Sequence, residues 1–137
     1  MKFFPIIPNW FINFADELIG KSHTLDCDSA VINRTIIDRF YYGSFLHVRT
    51  WIENNVPDHE LKYNALDHGK VIHEINKCSS LDYNTRYSIA SNLDNLRMYR
   101  NDATYVLNEN YLKTDIHELD IDFISDDVDN IISKLSV

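Results

Sequence analysis

Apolar residues recur at intervals of three or four through most of this chain, a spacing that brings them to one face of an α-helix. In the first such stretch, Phe14 and Leu18 share a face. Asn9 before this stretch and Gly20 after it are residue types that commonly begin and end helices. We therefore expect a first helix from Asn9 to about Ile19.

The second apolar stretch is longer and carries two adjacent apolar faces. One face consists of Ile37, Tyr41, Ser44, Val48 and Trp51, and the other of Ile32, Ile36, Phe40 and Gly43. Helices with two apolar faces usually lie at the centre of a bundle. We expect a long central helix that begins after a cap at Asp28 or Ser29 and ends near Asn54. The glycine at position 43 predicts that another helix packs closely there.

Two further helices follow a polar segment at 56–67, which predicts a loop. The third helix is expected over 68–78. The fourth begins after a cap at Asp82 and ends near Leu107, which makes it nearly as long as the second.

The C-terminal part has a weaker pattern. Residues 108–124 mix acidic side chains with a short alternating apolar run and predict irregular structure, whereas 126–135 predicts a last helix capped by Ser125. We interpret 1–8 as an N-terminal arm and 108–137 as an acidic C-terminal segment that includes this short helix. The pattern as a whole predicts an all-α, up-and-down bundle of four to five helices, in a single domain that spans all 137 residues.

The charge is distributed unevenly along the chain. Residues 108–137 contribute −6 of the formal net charge of −8, so the remaining body is near neutral. This distribution excludes a broad basic face for tight, nonspecific binding of nucleic acid but allows a small local site. The acidic end is either a solvated surface or a competitor of RNA for such a site.

The cysteines and histidines predict no metal and no cofactor. Cys27 and Cys78 lack metal-binding or redox spacing, and His68 and His73 are five residues apart, off the spacing of a helical metal pair. The apolar stretch at 1–14 is interrupted by prolines and is too short to span a membrane, so we expect a cytoplasmic protein with no membrane partner.

One charged residue interrupts an apolar stripe in the fourth helix. The stripe consists of Ile89, Leu93, Leu96, Ala103 and Leu107, and Arg100 fills the position between Leu96 and Ala103. An arginine turned toward a buried surface needs a partner, because an unpaired buried charge is very costly. The candidates are a carboxylate such as Asp38, a second subunit and an anionic ligand.

Three segments together resemble the HEPN superfamily of small α-helical proteins. Residues 38–45 (Asp-Arg-Phe-Tyr-Tyr-Gly-Ser-Phe) resemble the Arg-x-Tyr-Tyr-small-x-Phe-His signature of one prokaryotic branch. Residues 100–105 (Arg-Asn-Asp-Ala-Thr-Tyr) are similar to its Arg-Asn-x-Ala-Asp-Tyr motif, and 68–72 (His-Gly-Lys-Val-Ile) loosely resemble a His-Ser-Gly-Val-Ile stretch. The order and spacing match over roughly 9–107.

The resemblance implies a helical bundle that forms a homodimer. In active members an arginine holds the RNA phosphate and a nearby histidine acts on the ribose 2′-hydroxyl, which cleaves RNA without a metal. Such proteins serve as toxins of toxin–antitoxin systems or in antiviral defence. The chemistry is sound, because arginine offers a fixed fork of donors and histidine titrates near neutral pH.

This chain departs from the family's catalytic motif. Tyr105 stands five residues after Arg100, where active members have a histidine, and Leu46 occupies the histidine position of the first motif. His47 follows directly and is the histidine candidate that remains in that motif.

The resemblance assigns candidate roles to four further groups. Arg100 would bind the scissile phosphate, Asn101 and Tyr105 would position it, and Arg97 would extend the phosphate site by one helical turn. Each of these residues also has a structural interpretation, as an ion pair, a hydrogen bond or a packed aromatic ring.

Two functions remain open from the sequence. The first is an RNA-directed protein of a defence or toxin–antitoxin system, either a weak metal-independent ribonuclease or a degenerate one. The second is a catalytically silent dimeric module that docks a partner protein, such as a nucleotidyltransferase or an antitoxin, or that binds a nucleotide through Arg100.

Overall fold

A computed structural model describes residues 8–26, 29–105 and 118–136 of the chain. Almost all of the predicted N-terminal arm lies outside these residues, as do Cys27 and Asp28. The described residues contain five α-helices and no strand, which confirms the all-α prediction. The helices are α1 (Pro8–Lys21), α2 (Ser29–Asn55), α3 (Asp67–Asn76), α4 (Tyr83–Tyr105) and α5 (Glu118–Lys134).

The predicted bounds of the first four helices agree with the structure to within about two residues where they can be compared. A short 3₁₀ helix, Ser22–Thr24, follows α1. The cap predicted for α4 is confirmed, because the backbone N–H of Thr85 donates to Asp82 Oδ1 at 2.7 Å. This bond satisfies one of the amide groups left open at a helix start.

The prediction for the start of the last helix is wrong. We expected irregular structure up to residue 124, yet α5 begins at Glu118 and Ser125 lies inside it. Ile121 and Ile124 are buried and lie on the same face of the helix as the buried Val128. The alternation of Ile121 with Phe123 resembles a strand, but Phe123 is exposed. The buried positions 121, 124 and 128 have the i, i+3, i+7 spacing of one helix face, so the pattern is that of a helix.

Helix α2 is the centre of the bundle, as predicted. It packs against α1, α3, α4 and α5, and both of its apolar faces are covered within one chain. Among the side chains of these faces, Ile36, Phe40 and Tyr41 are each only 1% exposed. Because one subunit buries both faces, they give no support to the expected homodimer. Dimerisation itself stays a prediction.

Gly43 allows α1 to approach α2 closely. A Cβ atom at this position would lie 2.8 Å from Ile12 Cγ1 and 3.1 Å from the backbone carbonyl oxygen of Pro8. Both distances are shorter than ordinary van der Waals contacts, so a side chain here would push the helices apart. The close approach predicted from the sequence is confirmed.

Within the described part of the chain, no helix has both the length and the apolar character needed to cross a membrane.

Candidate functional site

Arg100 turns into the bundle from the last third of α4. Its helix neighbours Leu93 and Leu96 are buried, and its own side chain is only 17% exposed. Its Nε lies 3.9 Å from Asp38 Oδ1, and its Cζ lies 5.0 Å from the centre of the Tyr41 ring. The inward orientation and the pairing with Asp38 are therefore confirmed.

Asp38 serves two arginines. Besides facing Arg100, its Oδ2 accepts hydrogen bonds from Nε of Arg39, at 3.2 Å, and from Nη2 of the same guanidinium. Arg39 also lies over the ring of Phe11, with Cζ 5.3 Å from the ring centre. One carboxylate therefore faces two guanidinium groups at this point of the bundle.

His68 lies on the other side of Tyr41. It is the second residue of α3, and its Nδ1 forms a hydrogen bond with Tyr41 Oη. Its ring also stacks on Phe45, with ring centres 4.5 Å apart and planes 24° apart. These contacts fix the ring of His68 in position and orientation. We call Asp38, Tyr41, Phe45, His68 and Arg100 the Arg100 cluster.

The electrostatics of the Arg100 cluster favour a neutral histidine. Burial lowers the pKa of His68, and the positive charges of Arg100 and Arg97 lower it further, while Asp67 opposes them. Because the ordinary pKa of histidine is about 6.5, a lowered value leaves the ring neutral at pH 7. Burial raises the pKa of Tyr41 to about 12, so its phenol keeps its proton.

Arg97 and Asn101 also act on the cluster. The charge of Arg97 lowers the pKa values of both Tyr41 and His68. Asn101 accepts a hydrogen bond through Oδ1 from Nη1 of Arg100, at 3.2 Å. The side chain of Tyr105, which was predicted to position the phosphate, lies outside the part of the chain that the structure describes.

His47 lies elsewhere. It is 6% exposed, and its Nε2 lies 2.6 Å from the backbone carbonyl oxygen of Leu135, just after α5. Burial lowers its pKa as well. His47 is six residues beyond Tyr41 in α2, about 9 Å along the helix axis and on a different face. Its predicted catalytic role is not supported by this placement, and the histidine that contacts the cluster is His68.

In the sequence, His68 stood out only in a loosely similar segment and in a pair with His73 that lacks metal-binding spacing. One usable signal was available, because Tyr41 and Phe45 are one turn apart on α2 and present two rings to one neighbour. Which residue lies between these rings depends on how α3 packs on α2, and the local pattern of α3 does not contain that information.

In the ranges that the structure describes, no group of three or more His, Cys, Asp or Glu side chains is arranged to hold a metal ion. No family model, curated protein or solved structure matches this chain.

Proposed function

We propose that this protein is a HEPN-like protein that binds RNA at the Arg100 cluster and cleaves it weakly without a metal, in a prokaryotic defence or toxin–antitoxin system. The observation that carries the proposal is the contact of Tyr41 with both Arg100 and His68. It joins a phosphate-binding group and a proton-accepting group through one rigid ring.

Arg100 supplies the phosphate-binding group. Its guanidinium offers donors in a planar fork that matches two phosphate oxygens, and the charge of Arg97 adds to the same potential. Asp38 holds Arg100 in place and competes with phosphate for it, so binding of a single phosphate is expected to be modest.

His68 supplies the proton acceptor. The mechanism requires the tautomer in which Nδ1–H donates to Tyr41 Oη, because the neutral ring then has its lone pair on Nε2. Nε2 takes the proton of the ribose 2′-hydroxyl, the 2′-oxygen forms a bond to phosphorus, and the bond from phosphorus to the 5′-oxygen breaks. The leaving oxygen takes a proton from water, so the products are a 2′,3′-cyclic phosphate and a 5′-hydroxyl. A lone general base without a matched acid explains why the activity would be weak.

The second candidate is a catalytically silent module that binds RNA, a nucleotide or a partner protein. The pairing of Arg100 with Asp38 favours it, since a neutralised arginine is a typical structural element. Leu46 at the family's histidine position favours it as well.

The test is a cleavage assay on labelled single-stranded RNA in EDTA from pH 6 to 9, with binding followed by fluorescence anisotropy. We expect His68→Gln to lower the cleavage rate by about 10²- to 10⁴-fold, the typical contribution of a general base, while RNA binding persists. Arg100→Gln should weaken binding and cleavage together.

His73→Gln is the matched control, because it removes an exposed histidine from the same helix as His68. It should cleave like the unaltered protein. Bound but intact RNA at every pH favours the silent module, and the absence of binding overturns both candidates. Circular dichroism spectra check that each variant is folded.

A further inference from the structure

The contacts of the Arg100 cluster continue beyond His68 as an alternating series of rings and guanidinium groups. Phe45, which stacks on His68, also faces Arg49, with Cζ 5.4 Å from the ring centre. Arg49 in turn lies over the ring of Tyr63, with Cζ 5.7 Å from its centre. The series therefore runs from the inward-facing Arg100 to an aromatic ring at the surface.

Tyr63 is held in an unusual backbone conformation. Its φ is +58°, in the left-handed region that residues other than glycine seldom adopt. The carboxylate of Asp67 is fully buried and accepts the backbone N–H groups of Lys62 and Tyr63, both at 2.7 Å. These two bonds fix the loop where α3 begins, and they fix where Tyr63 leaves the backbone.

The ring that this loop presents is largely open to solvent. Tyr63 is 59% exposed, although its ring lies against the Arg49 guanidinium. An exposed ring beside a guanidinium is the kind of surface on which an unpaired nucleobase stacks, because every base has a π-face and arginine adds a cation–π contribution. Arg49 also carries positive charge, although Glu53 lies 3.5 Å from its Nε.

We propose that Tyr63 and Arg49 form a nucleobase-stacking subsite that selects single-stranded RNA. The proposal rests on the proposed function, since the Arg100 cluster would hold the phosphate of a strand whose flanking base lies on Tyr63. A base inside a duplex is stacked on its neighbours and is not available to Tyr63, so double-stranded RNA is a poor ligand.

An exposed pair of tyrosines elsewhere on the surface supplies the control. Tyr83 and Tyr87 are both exposed on α4, and their ring centres are 6.3 Å apart. Their rings stack on each other. The Tyr63 ring instead lies against the Arg49 guanidinium, which is connected to the Arg100 cluster through Phe45.

The experiment measures fluorescence anisotropy with two labelled oligonucleotides of equal length and phosphate number, one with bases and one abasic at its internal positions. We expect Tyr63→Ala to weaken binding of the first about 5- to 100-fold and to leave binding of the abasic strand unchanged. Tyr63→Phe should bind like the unaltered protein, and so should Tyr83→Ala.

Tyr63→Gly separates stacking from folding. Glycine adopts a positive φ without strain, so this variant keeps the loop and loses only the ring. It should lose affinity as Tyr63→Ala does. If Tyr63→Gly binds the strand with bases as tightly as the unaltered protein does, the stacking subsite is overturned. If Arg100→Gln leaves both oligonucleotides bound normally, the proposed function fails instead. If Arg100→Gln weakens both and the Tyr63 variants weaken neither, the stacking subsite alone fails.

Discussion

His47 and His68 are both partly or fully buried, but their positions in the bundle give them different hydrogen-bond partners. Burial lowers the pKa of both His47 and His68. The ring of His47 meets the carbonyl oxygen of Leu135, so its Nε2 is the donor of a structural hydrogen bond. The ring of His68 bonds through Nδ1 to Tyr41 instead, and the proposed function uses its Nε2 as the proton acceptor.

The lowered pKa of His47 predicts a loss of stability in acid. The folded protein binds this proton less readily than the unfolded chain, where the pKa is near its ordinary value of 6.5. The unfolded state therefore gains stability as the pH falls through about 6.5 toward the folded value. His47→Gln keeps a donor for Leu135 and removes the titration. We expect the free energy of unfolding of this variant to fall less between pH 7 and pH 5.

Urea denaturation at several pH values measures this effect. His73→Gln, which removes an exposed ring, controls for the loss of an imidazole as such. Equal pH slopes for the unaltered protein and His47→Gln would contradict the prediction.

At the scale of elements, α5 closes the bundle. It packs on α2 and α4 through one buried stripe, whose members are Ile121, Ile124, Val128 and Ile131, and the buried Leu135 follows just after the helix. The same helix turns acidic residues and Phe123 toward solvent. The separation of the two faces explains how a segment with so many acids still belongs to the core.

Neighbouring residues of α5 provide a matched test of this arrangement. Ile124 is fully buried, and Phe123 is 61% exposed. We expect Ile124→Ala to lower the free energy of unfolding by about 2–5 kcal/mol, the usual cost of such a cavity. Phe123→Ala should change it by less than about 0.5 kcal/mol, as is typical of surface positions. Thermal or urea unfolding measures both, and similar losses for the two variants would place the stripe elsewhere.

At the scale of the whole molecule, the acidic net charge and the proposed RNA site are compatible because the positive charge is local. The chain carries a formal net charge of −8, yet Arg49, Arg97 and Arg100 together lower the pKa of His68. These three arginines act on the same ring, whereas the net negative charge of the protein repels RNA as a whole. Association is expected to be slower and weaker than for a basic RNA-binding protein.

A small site predicts a shallow dependence of RNA affinity on salt. Contacts of Arg97 and Arg100 with two phosphates of a single strand give a slope of log K against log salt concentration of about −1.4. Arg97→Gln should reduce the magnitude of the slope by about 0.7. Arg86→Gln is the matched control on the same helix, where Arg86 donates to the carbonyl oxygen of Asn76. RNA titrations at several salt concentrations measure this slope. A slope of log K against log salt concentration much steeper than about −2 would indicate a wider basic surface.

The sequence by itself determined the helices α1 to α4, the cap at Asp82, the central place of α2 and the inward orientation of Arg100. These features follow from local periodicity and from the free-energy cost of burying a charge, and both can be inferred from residue types and their spacing. The pairing of Arg100 with Asp38 was within reach for the same reason, since a buried guanidinium demands a carboxylate.

Only the tertiary structure decided which histidine meets the cluster, where α5 begins and what fixes Tyr63. His68 and Tyr41 are 27 residues apart, and Asp67 orders a loop that has no regular pattern of its own. Contacts of this kind depend on how one helix packs on another. Local spacing restricts the face that a side chain occupies, but packing selects the residue that it meets.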